Sequence, residues 1–262
     1  MAHGVGFFFL FTKTQKYCTL LPMSLTFHLI SLFPDAFSSY LNESILARAQ
    51  KEKLLKFKFY NPRDFVKPTK TQKQKEKPYL RIDDKPYGGG PGMVIQALPI
   101  IKAVDNSIKN AKKSKNFKKI LILNTSPSGT QFTNEIAKTY IKDISDIVII
   151  CGRYEGIDAR VKKVFKNIKD VSIGPFVLTG GELPAMVMID GISRHIKGVL
   201  GNISSIEESR TSSSDVYTRP AVFTYKDKNY TVPTTLISGN HAKIDEFRAK
   251  KPGGTGDKNI KV

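Results

Sequence analysis

A chain of 262 residues, 40% hydrophobic and 25% charged, is long enough for one large domain or two modest ones. Its two cysteines, Cys18 and Cys151, exclude a disulfide framework and suggest no metal site, so a reducing cytosol is the simplest home, and no apolar run reaches the ~18 residues a membrane helix needs. The formal charge of +19 favours a polyanionic partner, nucleic acid being the commonest, although lysine scattered over solvated faces gives the same total and identifies no reaction.

Residues 1–22 read apart from the rest. The apolar stretch 6–11 is too short to span and follows no basic region, which favours an over-extended start or a poorly ordered arm over a signal peptide. From Met23 the pattern settles into strands and helices. Leu25, Phe27, Leu29 and Ile30 lie in a buried strand running toward Phe33. Asp35 is placed to cap a helix that turns Phe37, Tyr40, Leu41, Ile45 and Leu46 inward. Residues 54–60 alternate apolar side chains with lysine, as a half-exposed strand does. The polar stretch 61–85 reads as a long loop of the kind that often carries function. A helix resumes after Pro91 with Ile95, Leu98, Ile101 and Val104 on one face. Residues 120–123 and 147–150 are short buried strands on either side of a helix over 134–141. Alternating strands and helices predict an α/β layer with a largely parallel sheet. After Gly201 a serine-rich linker, 202–215, leads to a smaller unit from about Val216.

Chemistry concentrates in three glycine-rich turns: PYGGGPGM at 86–93, CGRYEGID at 151–158 directly after a buried strand, and IGPFVLTGGELP at 173–184 leading into a helix. Glycine lets backbone approach a ligand closely, and turns beyond the carboxyl ends of parallel strands are where α/β sheets place ligands. No dinucleotide fingerprint follows the first strand and no phosphate-binding G-x-x-x-x-G-K-[ST] occurs, which argues against dehydrogenases and P-loop NTPases. One such turn is usually just a turn; three together shift the balance toward a ligand site.

The strings PYGGGPGM, CGRYEGID, SIGPFVLTGGELPAM, ISRHIKGVLGN, VYTRPAVF and LISGNHAKI occur in the order found in the bacterial tRNA (guanine-N1)-methyltransferases, which this sequence resembles from Met23 to about Arg248. ISLFP at 30–34 and Pro62-Arg63-Asp64 fit as well. The resemblance implies an α/β fold of the SPOUT class, its largely parallel sheet threaded at the C-terminal end into a trefoil knot, with a small, mainly helical C-terminal domain. Pattern alone never predicts threading, since threaded chains are rare. Three parts follow after the 1–22 extension: a catalytic domain at 23–201, the linker at 202–215, and a tRNA-binding domain at 216–262 that looks shorter than the family's. The implied partners are tRNA and a second copy of the chain, with the active site at the subunit interface and no membrane; the implied compartment is the cytoplasm.

The resemblance further implies that S-adenosylmethionine binds, in a bent shape, against Gly152, Ile173, Gly174, Pro175, Phe176, Val177, Leu178, Thr125, Ser126, Pro127 and Gly129, with Glu155 toward its charged end. Methyl transfer to N1 of the guanosine 3′ of the anticodon, tRNA position 37, needs a base near N1 and a cation near O6, where negative charge grows. Arg194 matches the family's cation. The family's base is an aspartate in the linker. Glu208 takes that place here with one gap and an added methylene, and Glu207 and Asp215 are the alternatives, any of which reads equally as a solvated linker charge. His195 and His241 are assigned to structure or RNA contact. Arg63, the lysines of 67–77, Arg219, Lys243 and Arg248 are natural phosphate contacts. The family's reported need for Mg2+ finds no ligand cluster in this sequence. A related knotted methyltransferase with another RNA target, and an RNA-binding homologue that has lost catalysis, are the competing expectations.

Overall fold

The computed structural model describes residues 24–68, 80–200 and 216–249. Its centre is a five-stranded sheet in the order β2-β1-β6-β5-β7, in which every neighbouring pair is parallel. These strands are β1 (Leu25–Ile30), β2 (Leu55–Tyr60), β5 (Ile120–Gln131), β6 (Asp146–Ile150) and β7 (Lys169–Ser172). A two-residue antiparallel pair, β3 (Asp83–Asp84) and β4 (Val94–Ile95), lies between β2 and β5 in the chain. The helices are α1 (Ser38–Leu41), α2 (Ser44–Lys51), α3 (Ala97–Lys112), α4 (Asn134–Tyr140), α5 (Arg160–Val164) and α6 (Glu182–Ser193). The largely parallel α/β expectation is met.

The sheet is covered on both faces, which is why β6 reads as a continuous apolar run and is buried at all five positions. Ile147 and Ile149 face a core that takes Phe27 and Leu29 from β1, Leu46 and Ala49 from α2, and Ala185, Met188, Ile189 and Ile192 from α6. Val148 and Ile150 face the opposite core, with Ile30, Ile122 and α3's Ile100, Ala103 and Val104. The two-residue alternation of strand side chains therefore supplies both cores from one strand. β2 lies at the sheet's edge and keeps Lys56 and Lys58 in solvent, as its alternation predicts. A buried polar cluster interrupts the apolar layers at β1. His28 Nδ1 lies 2.9 Å from the Tyr60 hydroxyl and Nε2 lies 2.9 Å from Asp146 Oδ1, while Asp146 Oδ2 accepts from Ser145 Oγ at 2.7 Å. Each buried polar atom of this set has a partner.

Local expectations fail where tertiary contacts override pattern. The helix predicted after Asp35 is broken: a 3-10 turn spans Pro34–Phe37, Asp35's side chain makes no cap, and Ser44 adopts φ 49° at the start of α2. The break rotates the two pieces, so Phe37, Leu41 and Leu46 are buried while Tyr40 and Ile45 are 46% and 42% exposed. Ile95, assigned to a helix face, belongs to β4, and α3 begins at Ala97. β1 ends at Ile30, before Phe33. The C-terminal unit opens with a hairpin that the sequence did not announce, β8 (Val222–Tyr225) and β9 (Lys228–Thr231), before α7 (Thr234–Ile237) and α8 (His241–Ala249).

Candidate active site

An excursion within β5 and the turns after β6 and β7 meet beyond the carboxyl edge of the sheet and enclose a cavity of about 440 Å³. That size suits a cofactor-like ligand, and the position is where parallel sheets place ligands. β5 makes the first turn by leaving its register. Thr125 and Thr130 both align with Val171 of β7, and residues 126–129 are thrown outward between them. Thr125 then anchors the second turn: its Oγ1 donates to the Ile150 carbonyl at 3.1 Å and accepts from Gly152 N–H at 3.3 Å. The third turn closes on the second through Gly181 N–H, which donates to the Gly152 carbonyl at 2.8 Å.

Such close packing needs glycine at particular points. A Cβ on Gly181 would collide with Thr125 Oγ1 and stand 2.7 Å from both Cys151 Cα and Gly152 N. The second turn is in turn stitched to the end of PYGGGPGM: Glu155 N–H donates to Met93 O, and Ile95 N–H donates to Gly156 O, both at 3.0 Å. Glu155's side chain lies over Gly92, where a Cβ would displace it.

Of the residues assigned to the donor, Gly152, Ile173, Phe176, Val177, Leu178, Thr125, Ser126, Pro127 and Glu155 line this cavity. Gly129, Gly174 and Pro175 are not part of its lining, and two of them are closely packed. Gly129 lets the β5 excursion pass against the backbone of Asp170 and Val171, and a Cβ on Gly174 would strike the Phe176 ring. Phe176, Val177 and Leu178 leave apolar surface exposed beside the cavity, as ligand and partner sites do. The sequence missed Arg153, although its turn drew attention for its glycines, and Asn124, which lines the cavity while its amide donates to Asp170 Oδ1 at 2.8 Å. Burial, and then the nearby Glu182 carboxylate, push the Cys151 thiol well up, so this cysteine is no thiolate nucleophile. Asp158 is held below the usual carboxylate range by hydrogen bonds from Arg160.

Arg194 lies at the far end of α6. It caps the helix C-terminus, ten residues beyond Pro184, which lines the cavity, so the backbone carries it ~15 Å along the axis at 1.5 Å per residue. Glu207, Glu208 and Asp215 lie outside the described residues, as do residues 1–22 and most of the 67–77 lysines. Among the expected RNA contacts, Arg63 donates to the Leu32 carbonyl at 3.3 Å and sits 5.8 Å from the Phe33 ring, and Arg248 stands 3.7 Å from Asp245. Among the described residues no group of three or more His, Cys, Asp or Glu is placed to hold a metal ion, so Mg2+ gains no support, and no helix is long and apolar enough to cross a membrane.

Fold and site together define an α/β protein with a ligand cavity built from glycine turns at the carboxyl edge of a parallel sheet. Residues 25–258 match the family model described as tRNA (Guanine-1)-methyltransferase TrmD. Among curated relatives, a Campylobacter jejuni subsp. doylei protein is 43% identical over 226 residues, covering 85% of this chain and 89% of the relative. A Thermomicrobium roseum protein is 43% identical, covering 85% and 76%, and one from Buchnera aphidicola is 40% identical, covering 87% and 90%. All three are named tRNA (guanine-N(1)-)-methyltransferase. The chain belongs to this family.

Proposed function

We propose that this chain moves a methyl group from S-adenosylmethionine to N1 of the guanosine 3′ of the anticodon, tRNA position 37, in the cytoplasm. The observation that carries the reading is the cavity on which Thr125, Gly152 and Gly181 converge, within a chain matched to the family from residue 25 to 258. The cavity fits the donor. Backbone amides and carbonyls of the turns can bond an adenine edge, Ile173, Val177 and Leu178 can hold its ring, and the Glu155 carboxylate can meet a cationic end. When bound, S-adenosylmethionine supplies an electrophilic methyl on a sulfonium that needs placement rather than activation.

The chain's own groups do the rest. Guanine N1 carries a proton at neutral pH, and the Glu208 carboxylate removes it, with Glu207 and Asp215 as alternatives. Arg194's guanidinium stays charged and donates to O6 as negative charge grows there. The target base leaves its stack to reach the site. Since α6 separates Arg194 from the cavity of its own chain, we assign the complete site to a homodimer in which one protomer holds the donor and its partner brings catalytic groups. The uncovered apolar side chains Leu183, Val187, Phe176 and Val177 support a partner on that side. The threaded path of the knot belongs to this reading through the family match. Residues 23–201 form the catalytic domain, 202–215 the linker and 216–262 the tRNA-binding unit in this reading.

Purified protein is expected to methylate an unmodified tRNA transcript, with mass spectrometry of the digest placing the methyl on guanine N1 at position 37. Replacing that G with A should abolish transfer; continued methylation would remove the guanine-N1 assignment. Glu208→Gln is expected to cut the single-turnover rate ~10²–10⁴-fold with donor affinity unchanged, and if Asp215→Asn does so instead, the base is Asp215.

A further inference from the structure

A single buried carboxylate ties together the segments that frame the cavity. Glu182, the first residue of α6, is 3% exposed. Its Oε1 accepts from Ser31 Oγ at 2.7 Å, in the loop after β1, and Ser31 Oγ accepts from Phe33 N–H at 3.0 Å. Its Oε2 lies 2.9 Å from Arg153 Nε, in the turn after β6, an ion-pair contact without hydrogen-bond alignment. Arg153 in turn donates from Nη1 to the Thr179 carbonyl at 3.4 Å and lays its guanidinium 4.6 Å from the centroid of the Phe33 ring. Gly180 makes room for it, since a Cβ there would stand 2.5 Å from Arg153 Cζ. Arg153 lines the cavity and Glu182 does not.

Stability alone explains this pair poorly. Withdrawing a carboxylate and a guanidinium from water costs several kcal/mol per ion, and well-packed apolar residues of similar volume often serve as well. What an ion pair adds is a defined geometry, and here the geometry fixed is that of residues 179–181, the backbone that closes the cavity against Thr125 and Gly152.

We propose that Glu182 and Arg153 are a positioning pair for the methyl donor: Glu182 orients Arg153, and Arg153 holds the 179–181 backbone in the shape that binds S-adenosylmethionine. This deepens the donor-site reading above and rests on it. Without the pair the competent shape becomes one of several, and apparent donor affinity falls by the fraction of molecules that keep it. Glu182 does not line the cavity, so it acts through Arg153, and the effect is expected on the binding step.

The test is titration calorimetry of the full-length protein with S-adenosylmethionine, paired with single-turnover transfer at saturating donor. Glu182→Gln keeps an acceptor for Ser31 and removes the charge. It is expected to raise the donor Kd ~10-fold, as when the competent shape falls to about a tenth of the population, with the saturated transfer rate within ~2-fold of wild type. Arg153→Gln, at a more exposed side chain, should do the same and carries the test should the first variant not fold. The double variant should be no worse than either single one, which is the signature of a coupled pair. Arg153→Lys, a cation without the planar fork, should recover part of the affinity. If folded single variants bind the donor as wild type does, the positioning role is overturned while the donor site stands. If wild-type protein takes up no donor, both readings fall.

Discussion

Two glycines in the cavity wall have opposite physical reasons for being glycine. Gly181 has no room for a side chain: a Cβ would meet Thr125 Oγ1 and the backbone of Cys151 and Gly152. Backbone cannot retreat as a flexible side chain can, so Gly181→Ala is expected to cost ~1–3 kcal/mol of stability in urea denaturation. Gly152 has room, its nearest neighbour being the Thr125 carbonyl at 3.8 Å from a built Cβ. Gly152→Ala should therefore melt like wild type, yet weaken donor binding if the ligand approaches this backbone closely. Equal donor affinity in a folded Gly152→Ala protein would place the ligand elsewhere in the cavity.

At the scale of elements, β6 organises the molecule. It supplies both cores and delivers Ile150 and Gly152 to the cavity at its carboxyl end. Ile149 is fully buried between β1 and β5, and Ile149→Ala should destabilise the protein by ~2–5 kcal/mol. Lys58, exposed on the edge strand β2, should tolerate alanine within ~0.5 kcal/mol. Chemical denaturation of the two variants side by side measures the difference, and equal losses would mean that the sheet's centre is not where stability is concentrated. α6 matters for a different reason, since it carries the cavity's anchor, Glu182, at one end and Arg194 at the other.

For the whole molecule, that separation makes a second copy part of the proposed site. Leu183 and Val187, one turn apart on α6, are 57% and 49% exposed although the opposite face of the same helix is core. Changing both to glutamate should shift the protein from dimer to monomer in sedimentation velocity and abolish methyl transfer, with the far-UV circular dichroism retained. A variant pair that stays dimeric and active would place the subunit contact on another face.

Much of this was legible in the chain. The strands 120–123 and 147–150, the burial of β6, the edge character of β2 and the glycine turns all follow from local pattern, because strand periodicity and glycine's freedom act over a few residues. The ordered motifs carried the family. Other features depended on distant partners. Tyr40 and Ile45 fit a helical stripe, yet the break at Ser44 turns them outward. Gly129 is crowded by the backbone of Asp170 and Val171 and Gly174 by the Phe176 ring, contacts that their neighbours in sequence do not announce. Nothing near Glu182 in sequence distinguishes it from a solvated first-turn carboxylate; it is buried because Ser31, 151 positions away, and Arg153 come to it. Sequence by itself determined which segments become strands, helices and turns, since those choices are local. Only the tertiary structure decided which polar groups lose their water and which partners replace it, since burial is a property of the assembled layers.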